Sequence, residues 1–236
     1  MRRAGCGGRR SLRIAAVLCL LTASLGLASC TECGVGIIIS PIVITWPPPC
    51  QAVSLVEDFS TDVIADGTWT RSGDTVSVDT GSGWLVIQTG DGGGDFARRD
   101  VGFALPITFE ARVRLVSGGN DYKTPGSYLY FSDGTYIKIT FLTDVDPGDT
   151  HGGWLFDGWT FISIKGPLAE NQWITVRAEI RTDGGDLWAK EDADADFTHI
   201  VSKSWSVPDE LDYVRLKQSW DSICNVDYVR IDGCRR

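Results

Sequence analysis

Long stretches of this chain alternate strictly between apolar and polar residues, and this pattern constrains the fold more than any other feature. Ile107–Leu115 reads ITFEARVRL and Ile174–Arg181 reads ITVRAEIR, so that every second residue is apolar. Successive side chains of a β-strand point to opposite faces, and such segments are therefore typical of strands with one buried and one solvated face. No apolar stripe of helical spacing exceeds about two turns. The alternation predicts an all-β chain.

Shorter runs of the same kind repeat along the chain, and turn-forming clusters separate them. Asp133-Gly134 and Asp183-Gly184-Gly185 are examples of these clusters, which suit tight turns that need a positive φ. The shorter strand candidates are Thr75–Asp79, Trp84–Thr89, Ser127–Phe131, Tyr136–Leu142, Tyr213–Ser219 and Val226–Ile231. Many short strands with such turns favour a sandwich or barrel, and about 185 residues suffice for one domain of that kind.

The order of the segments carries a family resemblance. The residues concerned are Glu57–Ser60, Trp69, Gly83–Ile87, Phe109–Val113, Gln172–Arg177 with Asp183-Gly184, and Asn225–Ile231. Together they resemble the concanavalin A-like jelly roll of lectins, glucanases and laminin-G-like modules, over nearly all of residues 53–234. The resemblance implies a two-sheet antiparallel jelly-roll β-sandwich in which Trp69, Trp84 and Trp173 occupy core positions. It is a pattern of strands, so it supports fold more than function.

The first thirty residues predict export. The first thirteen residues contain five arginines and no acid, and the apolar run Ile14–Leu27 follows. At about 14 residues the run is too short to span a bilayer of roughly 30 Å. A basic segment, a short apolar segment and small residues before a break are typical of a secretory signal.

The break itself, Leu27-Ala28-Ser29-Cys30, resembles the bacterial lipoprotein signal. The resemblance implies a signal peptide over 1–29, acylation of Cys30 and anchoring in a lipid bilayer through the acyl chains. Thr31 in place of an aspartate resembles an outer-membrane signal, which predicts a lipid-anchored, extracytoplasmic protein of the cell envelope. An ordinary signal peptide with Cys30 in a disulfide is the alternative. Residues 30–52, rich in Ile and Pro, then form a tether, and 53–236 form the domain.

The net charge of the mature chain limits the classes of molecule that it could bind. The chain has 22 Lys+Arg and 31 Asp+Glu; without the five signal arginines 17 basic residues remain, a net charge of about −14. An acidic surface argues against nucleic acid, which needs clustered Lys and Arg. It is compatible with neutral glycans or with calcium, and a merely solvated, solubilising surface is the simpler interpretation.

Four cysteines remain beyond Cys30 in the mature chain: Cys33, Cys50, Cys224 and Cys234. An even number in an oxidising compartment predicts two disulfides, and four cysteines allow three connectivities. In the jelly roll that the chain resembles, the first and last strands run antiparallel side by side. The resemblance therefore implies a Cys50–Cys234 bond, between the start of the strand Val53–Phe59 and the end of the strand Val226–Ile231. Cys33–Cys50 with Cys224–Cys234 is the rival connectivity.

One loop gathers the candidate ligand residues. Asp144, Asp146 and Asp149 in a Pro-Gly turn offer hard oxygen ligands for calcium. The Gly-rich segment after them holds Trp154, Asp157 and Trp159, which we interpret as an aromatic plate and carboxylate for a sugar. Packing of the two tryptophans and solvation of the acids are the alternative interpretations.

No catalytic pattern stands out. Glycosidases need a spaced pair of carboxylates, and the Glu-x-Asp-x-x-Glu strand of laminarinase-type relatives has no counterpart here; Glu191–Asp196 lacks the second glutamate. With only His151 and His199, a histidine-based triad has few ways to form. We therefore expect a lectin-like carbohydrate-binding module and no enzyme. A structural or adhesion sandwich is the alternative, followed by a polysaccharide-degrading enzyme.

Overall fold

The structure is a computed structural model that describes residues 50–89, 94–118, 126–142, 152–156, 161–164, 171–218 and 222–235. Within these ranges all regular structure is β-strand, which confirms the predicted all-β class. The signal segment, Cys30, Cys33 and most of the tether lie outside the described residues.

Fourteen strands are described: β1 Gln51–Glu57, β2 Thr70–Ser72, β3 Val76–Asp79, β4 Trp84–Gln88, β5 Phe96–Gly118, β6 Gly126–Phe131, β7 Tyr136–Leu142, β8 Gly152–Phe156, β9 Phe161–Ile164, β10 Trp173–Arg181, β11 Gly184–Glu191, β12 Thr198–Ser204, β13 Glu210–Lys217 and β14 Ser222–Arg235. Their pairing is antiparallel throughout. They connect in the order β12-β11-β10-β5-β13-β6-β7-β8-β9, with β1, β2, β3, β4 and β14 attached beside this path.

Strand β5 joins two layers of this arrangement. Its first part, Phe96–Ala104, pairs with β2 and β13, and its second part, Ile107–Gly118, pairs with β10 and β14. Residues far apart in the strand order, such as Ile137 of β7 and Leu187 of β11, belong to one hydrophobic core. The strands therefore fold over on themselves as a jelly-roll sandwich. We call the β13 side the first layer and the β10 side the second layer.

The alternating segments behave as predicted. Ile107–Leu115 lies within β5, antiparallel to β10, with Val113 opposite Ile174 and Glu110 opposite Arg177. The apolar residues of both segments are buried, while their polar residues point to the outer surface of the second layer. Burying one face of each strand removes apolar area from water, which is the main favourable contribution to folding.

An ion pair between Glu57, the last residue of β1, and Arg99 of β5 lies at the edge of the core. The carboxylate of Glu57 is 2.6 Å from Nη1 of Arg99 on β5, and it also accepts a bond of 3.4 Å from Nε1 of the fully buried Trp69. Phe59, with a φ of 52°, is buried beside this group. Trp69 therefore occupies the core position that the family resemblance implies.

The predicted Cys50–Cys234 disulfide is confirmed, and the rival Cys224–Cys234 bond is wrong. Strands β1 and β14 run antiparallel with Ala52 opposite Cys234, which brings the two Cα atoms of the bridge to 5.3 Å. Both strands begin earlier than predicted, and β14 also extends further. Cys224 is a buried free thiol on β14. Burial raises the pKa of this thiol to about 12.

In the part of the chain that the structure describes, we find no helix long and apolar enough to cross a membrane.

The disulfide should contribute substantially to stability. The bridge spans 184 residues, and the loop-entropy model gives about 5 kcal/mol for a loop of that order. We expect the double variant Cys50→Ser/Cys234→Ser to lose about 2–5 kcal/mol of unfolding free energy in urea titrations. Dithiothreitol should lower the urea midpoint of the wild type and of the Cys224→Ala control, but not that of the double variant. An unchanged wild-type midpoint under reduction would contradict the expectation.

Candidate functional site

Four tyrosines share the outer surface of the first layer. Tyr128 and Tyr130 alternate on β6 with the buried Leu129 and Phe131, so their rings point away from the core. Strand register places Tyr136 of β7 and Tyr213 of β13 opposite Tyr130, one on each side. We call Tyr128, Tyr130, Tyr136 and Tyr213 the tyrosine face.

The rings of the tyrosine face form one continuous patch. Tyr130 and Tyr213 stack with centroids 4.5 Å apart and planes at 15°. Tyr136 lies 5.0 Å from Tyr130 and 5.6 Å from Tyr128, and it is 48% exposed. These separations are in the range of favourable aromatic pairs. The patch spans three neighbouring strands, or about 10 Å.

Cationic side chains cover the same surface. The guanidinium of Arg98 lies 3.7 Å from the ring centroid of Tyr213. That of Arg215 lies 4.8 Å from the centroid of Tyr130 and donates a hydrogen bond of 3.2 Å to the Tyr130 hydroxyl. Such contacts stabilise cation and ring together. They also hold the tyrosine rings in place, so the face is organised before any ligand arrives.

Burial between neighbouring strands perturbs several groups on this face. It raises the pKa of Tyr128 to about 12, with Tyr136 and Tyr130 adding to the effect. Burial also raises the pKa of Tyr130, which Arg215 partly offsets. The pKa of Lys138, on β7, is lowered by burial and then by the positive charge of Lys217. Neutral tyrosine hydroxyls remain able to donate hydrogen bonds at physiological pH.

These properties suit a sugar. The ring of a pyranose has an apolar face that packs on an aromatic plate, while its hydroxyls need polar partners at the rim. Tyrosine supplies both, since its ring is apolar and its hydroxyl can donate and accept. The tyrosine face can therefore bind a carbohydrate chain by stacking and hydrogen bonding.

The outer surface of the second layer differs, because its charges satisfy one another. Arg177 contacts Oε2 of Glu110 at 2.7 Å, directly across the strand pair, and the Tyr228 hydroxyl donates to Oε1 at 2.6 Å. Arg112 pairs with Asp227 at 2.6 Å and with Asp192 at 2.5 Å. This surface reads as a structural network.

Two half-buried tryptophans complete that network. Trp84 and Trp173 meet edge to face at 5.5 Å, and the guanidinium of Arg114 lies over both rings at 4.1 and 4.6 Å. They are therefore not core residues like Trp69. They instead cover the polar surface of the second layer.

A groove of about 510 Å³ lies beside the sandwich, near Trp69. Asp62, Ile64 and Arg71 are among its lining residues. Thr70, which also lines it, pairs in register with Arg98. The groove thus adjoins β2, which the first part of β5 separates from β13 and the tyrosine face.

None of the side chains predicted from sequence as ligand or metal sites is among those that the structure describes. Trp159, the sugar candidate Asp157 and the calcium candidates all lie outside the described residues. Trp154 is described only by its backbone, which pairs with Phe141 of β7. Those assignments stay predictions. The calcium candidates are Asp144, Asp146 and Asp149.

Among the residues that are described, no group of three or more His, Cys, Asp or Glu is arranged to hold a metal ion. The acidic turn at Asp192–Asp196 instead serves the fold. Asp192 pairs with Arg112, and the Asp194 carboxylate accepts a hydrogen bond of 3.1 Å from the Glu191 backbone amide.

Sequence reasoning missed the tyrosine face. The signal was present in the alternation of Tyr128 with Tyr130, and of Tyr213 with Arg215 and Lys217. The residues of each set lie on one face of their strand. The sequence does not show that β6, β7 and β13 are neighbouring strands. It is this adjacency that brings the four rings into one patch.

No known family model and no curated protein matches this sequence. Solved structures do share its fold. A xylan β-1,4-xylosidase from Bacillus halodurans C-125 matches with a TM-score of 0.56 and 12% identity over 75% of this chain. An immunostimulatory antigen and pseudo β-1,3-glucanase of Mycobacterium tuberculosis matches with 0.56 and 14% over 77%. The Crh5 transglycosylase in complex with NAG matches with 0.53 and 13% over 78%.

The matches differ in how much of the other protein they cover. This chain spans 39% of the xylosidase, but 98% of the mycobacterial antigen and 85% of the transglycosylase. At these identities the likeness shows the fold, and it confirms the expected β-sandwich. It also contradicts the expectation that the domain is not an enzyme, since the neighbours include a glycoside hydrolase and a transglycosylase.

The tyrosine face should resist alkaline ionisation. In a spectrophotometric titration of the six tyrosines, a component assigned to Tyr128 should ionise near pH 12, well above the ordinary value of about 10. A raised folded-state pKa stabilises the fold below pH 10, and that stability is lost as pH rises through 12. Tyr128→Phe should remove the component near pH 12, while Tyr228, whose pKa is raised by burial and by Glu110, still ionises late. Ionisation of all six near pH 10 in a still folded protein would refute the assignment.

Proposed function

We propose that the domain binds a polysaccharide on the tyrosine face. The observation that carries the proposal is the continuous patch of four tyrosine rings across β6, β7 and β13, held in place by Arg98 and Arg215. A linear carbohydrate lying across the strands would meet several rings in succession. Aromatic side chains that are already ordered cost little conformational entropy on binding.

The named activities of the structural neighbours support a carbohydrate ligand. One is a xylosidase, one is described as a pseudo β-1,3-glucanase and one is a transglycosylase solved with NAG. Because a fold hosts many functions, these names guide the choice of ligands rather than fix it.

Turnover of the bound chain is the second candidate function, and the same neighbours favour it. On the second layer both oxygens of Glu110 are engaged within the domain, by Arg177 and Tyr228. A catalytic carboxylate pair would therefore have to be assembled elsewhere. Any bound polysaccharide should accordingly be incubated with the protein and examined for cleaved or transferred products.

The segment 144–159 is a second proposed contact region. Trp154, Trp159 and Asp157 would add an aromatic plate and a carboxylate to the binding surface. Calcium held by Asp144, Asp146 and Asp149 would shape the loop. EDTA should weaken binding if the ion is required.

The proposed setting is the cell envelope, outside the cytoplasm, with the protein lipid-anchored at the outer membrane. We propose a signal peptide over 1–29, a lipidated tether over 30–52 and a domain over 53–236 held in the cell envelope by the acylated Cys30. The Cys50–Cys234 disulfide supports an oxidising, extracytoplasmic compartment. Two or more acyl chains anchor stably where one does not.

Loss of Cys30 should release the protein. We expect Cys30→Ala to abolish labelling with a palmitate analogue and to shift the protein from the membrane to the soluble fraction. Cys33→Ala is the matched control and should keep both label and membrane retention. Full retention of the Cys30 variant would refute the anchor.

The binding face is tested by single substitutions. Immobilised protein is titrated with xylan, β-1,3-glucan and chitin oligosaccharides, chosen from the neighbours. For any ligand that binds, Tyr136→Ala and Tyr213→Ala should each weaken affinity by tenfold or more, the usual range for an aromatic anchor of about 1.4 kcal/mol or above. Val56→Ala, exposed on β1 of the second layer, is the control. Unchanged affinity in both tyrosine variants would place the ligand elsewhere.

A further inference from the structure

Strand register arranges the tyrosine face in rows that run across the strands. One row reads Tyr136, Tyr130, Tyr213 and Asp100 on β7, β6, β13 and β5. We call it the tyrosine row. Residues two positions along each strand form the next row, about 7 Å away.

That next row is cationic. It reads Lys138, Tyr128, Arg215 and Arg98 on the same four strands. Lys217 stands two residues beyond Arg215 on β13. We call Lys138, Arg215, Arg98 and Lys217 the cation row. Four positive charges thus flank the tyrosine rings on a chain whose net charge is −9.

Within the described part of the chain these charges are poorly neutralised. Arg98 pairs with Asp100 at 2.8 Å, but Lys138, Arg215 and Lys217 have no ion pair there. The Nε atom of Arg215 is buried and has no hydrogen-bond partner.

The acids on these strands lie to one side. Glu210 and Asp212 precede Tyr213 on β13 and so lie beyond the tyrosine row, away from Lys217. Asp95, just before β5, bonds to Thr75. Apart from the Arg98–Asp100 pair, the charges of the cation row therefore have no ion-paired acid among the described residues.

Like charges placed together without counter-charges cost free energy in the free protein. The lowered pKa of Lys138, caused by burial and by Lys217, is one expression of that cost. An anion bound between these side chains would relieve the repulsion and gain charge-assisted hydrogen bonds. The arrangement fits a ligand that brings negative charge at a fixed distance from a sugar ring.

We propose that the ligand of the tyrosine face is an acidic polysaccharide. Its sugar rings lie along the tyrosine row, and its carboxylate or sulfate groups reach the cation row. This inference rests on the proposed carbohydrate function and specifies its substrate class. It also explains how an acidic protein attracts a polyanion, since the face presents charge of the opposite sign to that of the whole chain.

The test compares polymers that differ only in charge. The detergent-solubilised protein is titrated with polygalacturonate and with its neutral methyl ester, and dextran sulfate is compared with neutral dextran as the sulfated arm. We expect an acidic polymer to bind at least tenfold more tightly than the ester, with affinity falling as NaCl rises from 50 to 300 mM. Comparing the carboxylated and sulfated arms identifies the anionic group.

Double variants test whether the lysines of the cation row cause the preference for acidic polymers. Lys138→Gln/Lys217→Gln should weaken acidic-polymer binding at least tenfold and bring it close to that of the ester. Lys190→Gln/Lys203→Gln, with the same change of charge on the second layer, is the control and should leave the preference intact. Tyr136→Ala should weaken both polymers, because stacking does not depend on charge.

The outcomes separate the two proposals. Equal binding of acid and ester overturns the acidic ligand and leaves carbohydrate binding standing. A preference that survives Lys138→Gln/Lys217→Gln overturns the cation row. Polyglutamate binding as tightly as polygalacturonate, with no effect of Tyr136→Ala, shows charge attraction alone and overturns the inference. Failure of every polysaccharide, neutral or acidic, rejects the proposed function together with it.

Discussion

Strand β5 is the constraint on which the rest of the sandwich depends. It is 23 residues long and passes through both layers, pairing with β2 and β13 in its first part and with β10 and β14 in its second. Each layer therefore takes its register from the same strand. Arg99 of β5 and Glu57 of β1 add an ion pair of 2.6 Å, which ties the first strand of the domain to this common element.

The two outer surfaces that β5 helps to build have different electrostatic character. On the second layer Glu110, Arg177 and Tyr228 satisfy one another at short range. A closed network of this kind gains nothing from a ligand, because its polar groups already have partners. On the first layer, aromatic rings and cations stand together with little opposing charge in the described residues. The proposed ligand-binding surface is therefore the one whose polar and charged groups have the fewest partners within the described part of the protein.

The local sequence pattern predicted the strands, whereas the tyrosine face depends on which strands are neighbours in the fold. The alternation of Ile107–Leu115 and Ile174–Arg181 predicted two central strands, because the burial of every second residue is visible within a single segment of the sequence. Phe96–Ala104 was not recognised as part of β5, since Arg98, Arg99 and Asp100 break the alternation there.

The tryptophans were misleading for a related reason. Nine of them drew attention, yet Trp69 is core, while Trp84 and Trp173 cover the second layer. Adjacency of β6, β7 and β13 is non-local, so no single segment announced the tyrosine face.

The Cys50–Cys234 bridge has a mechanical consequence. Tension applied to the chain before Cys50 divides at the bridge between β1 and β14. Among the described strands β1 pairs with β14 alone, and it would unzip residue by residue if it were pulled alone. Strand β14 lies between β1 and β5, so the covalent link transfers the pull to the middle of the second layer. Shearing several rows of hydrogen bonds at once requires more force than peeling one. A domain held by a tether and gripping a polymer would keep its binding surface intact under such load.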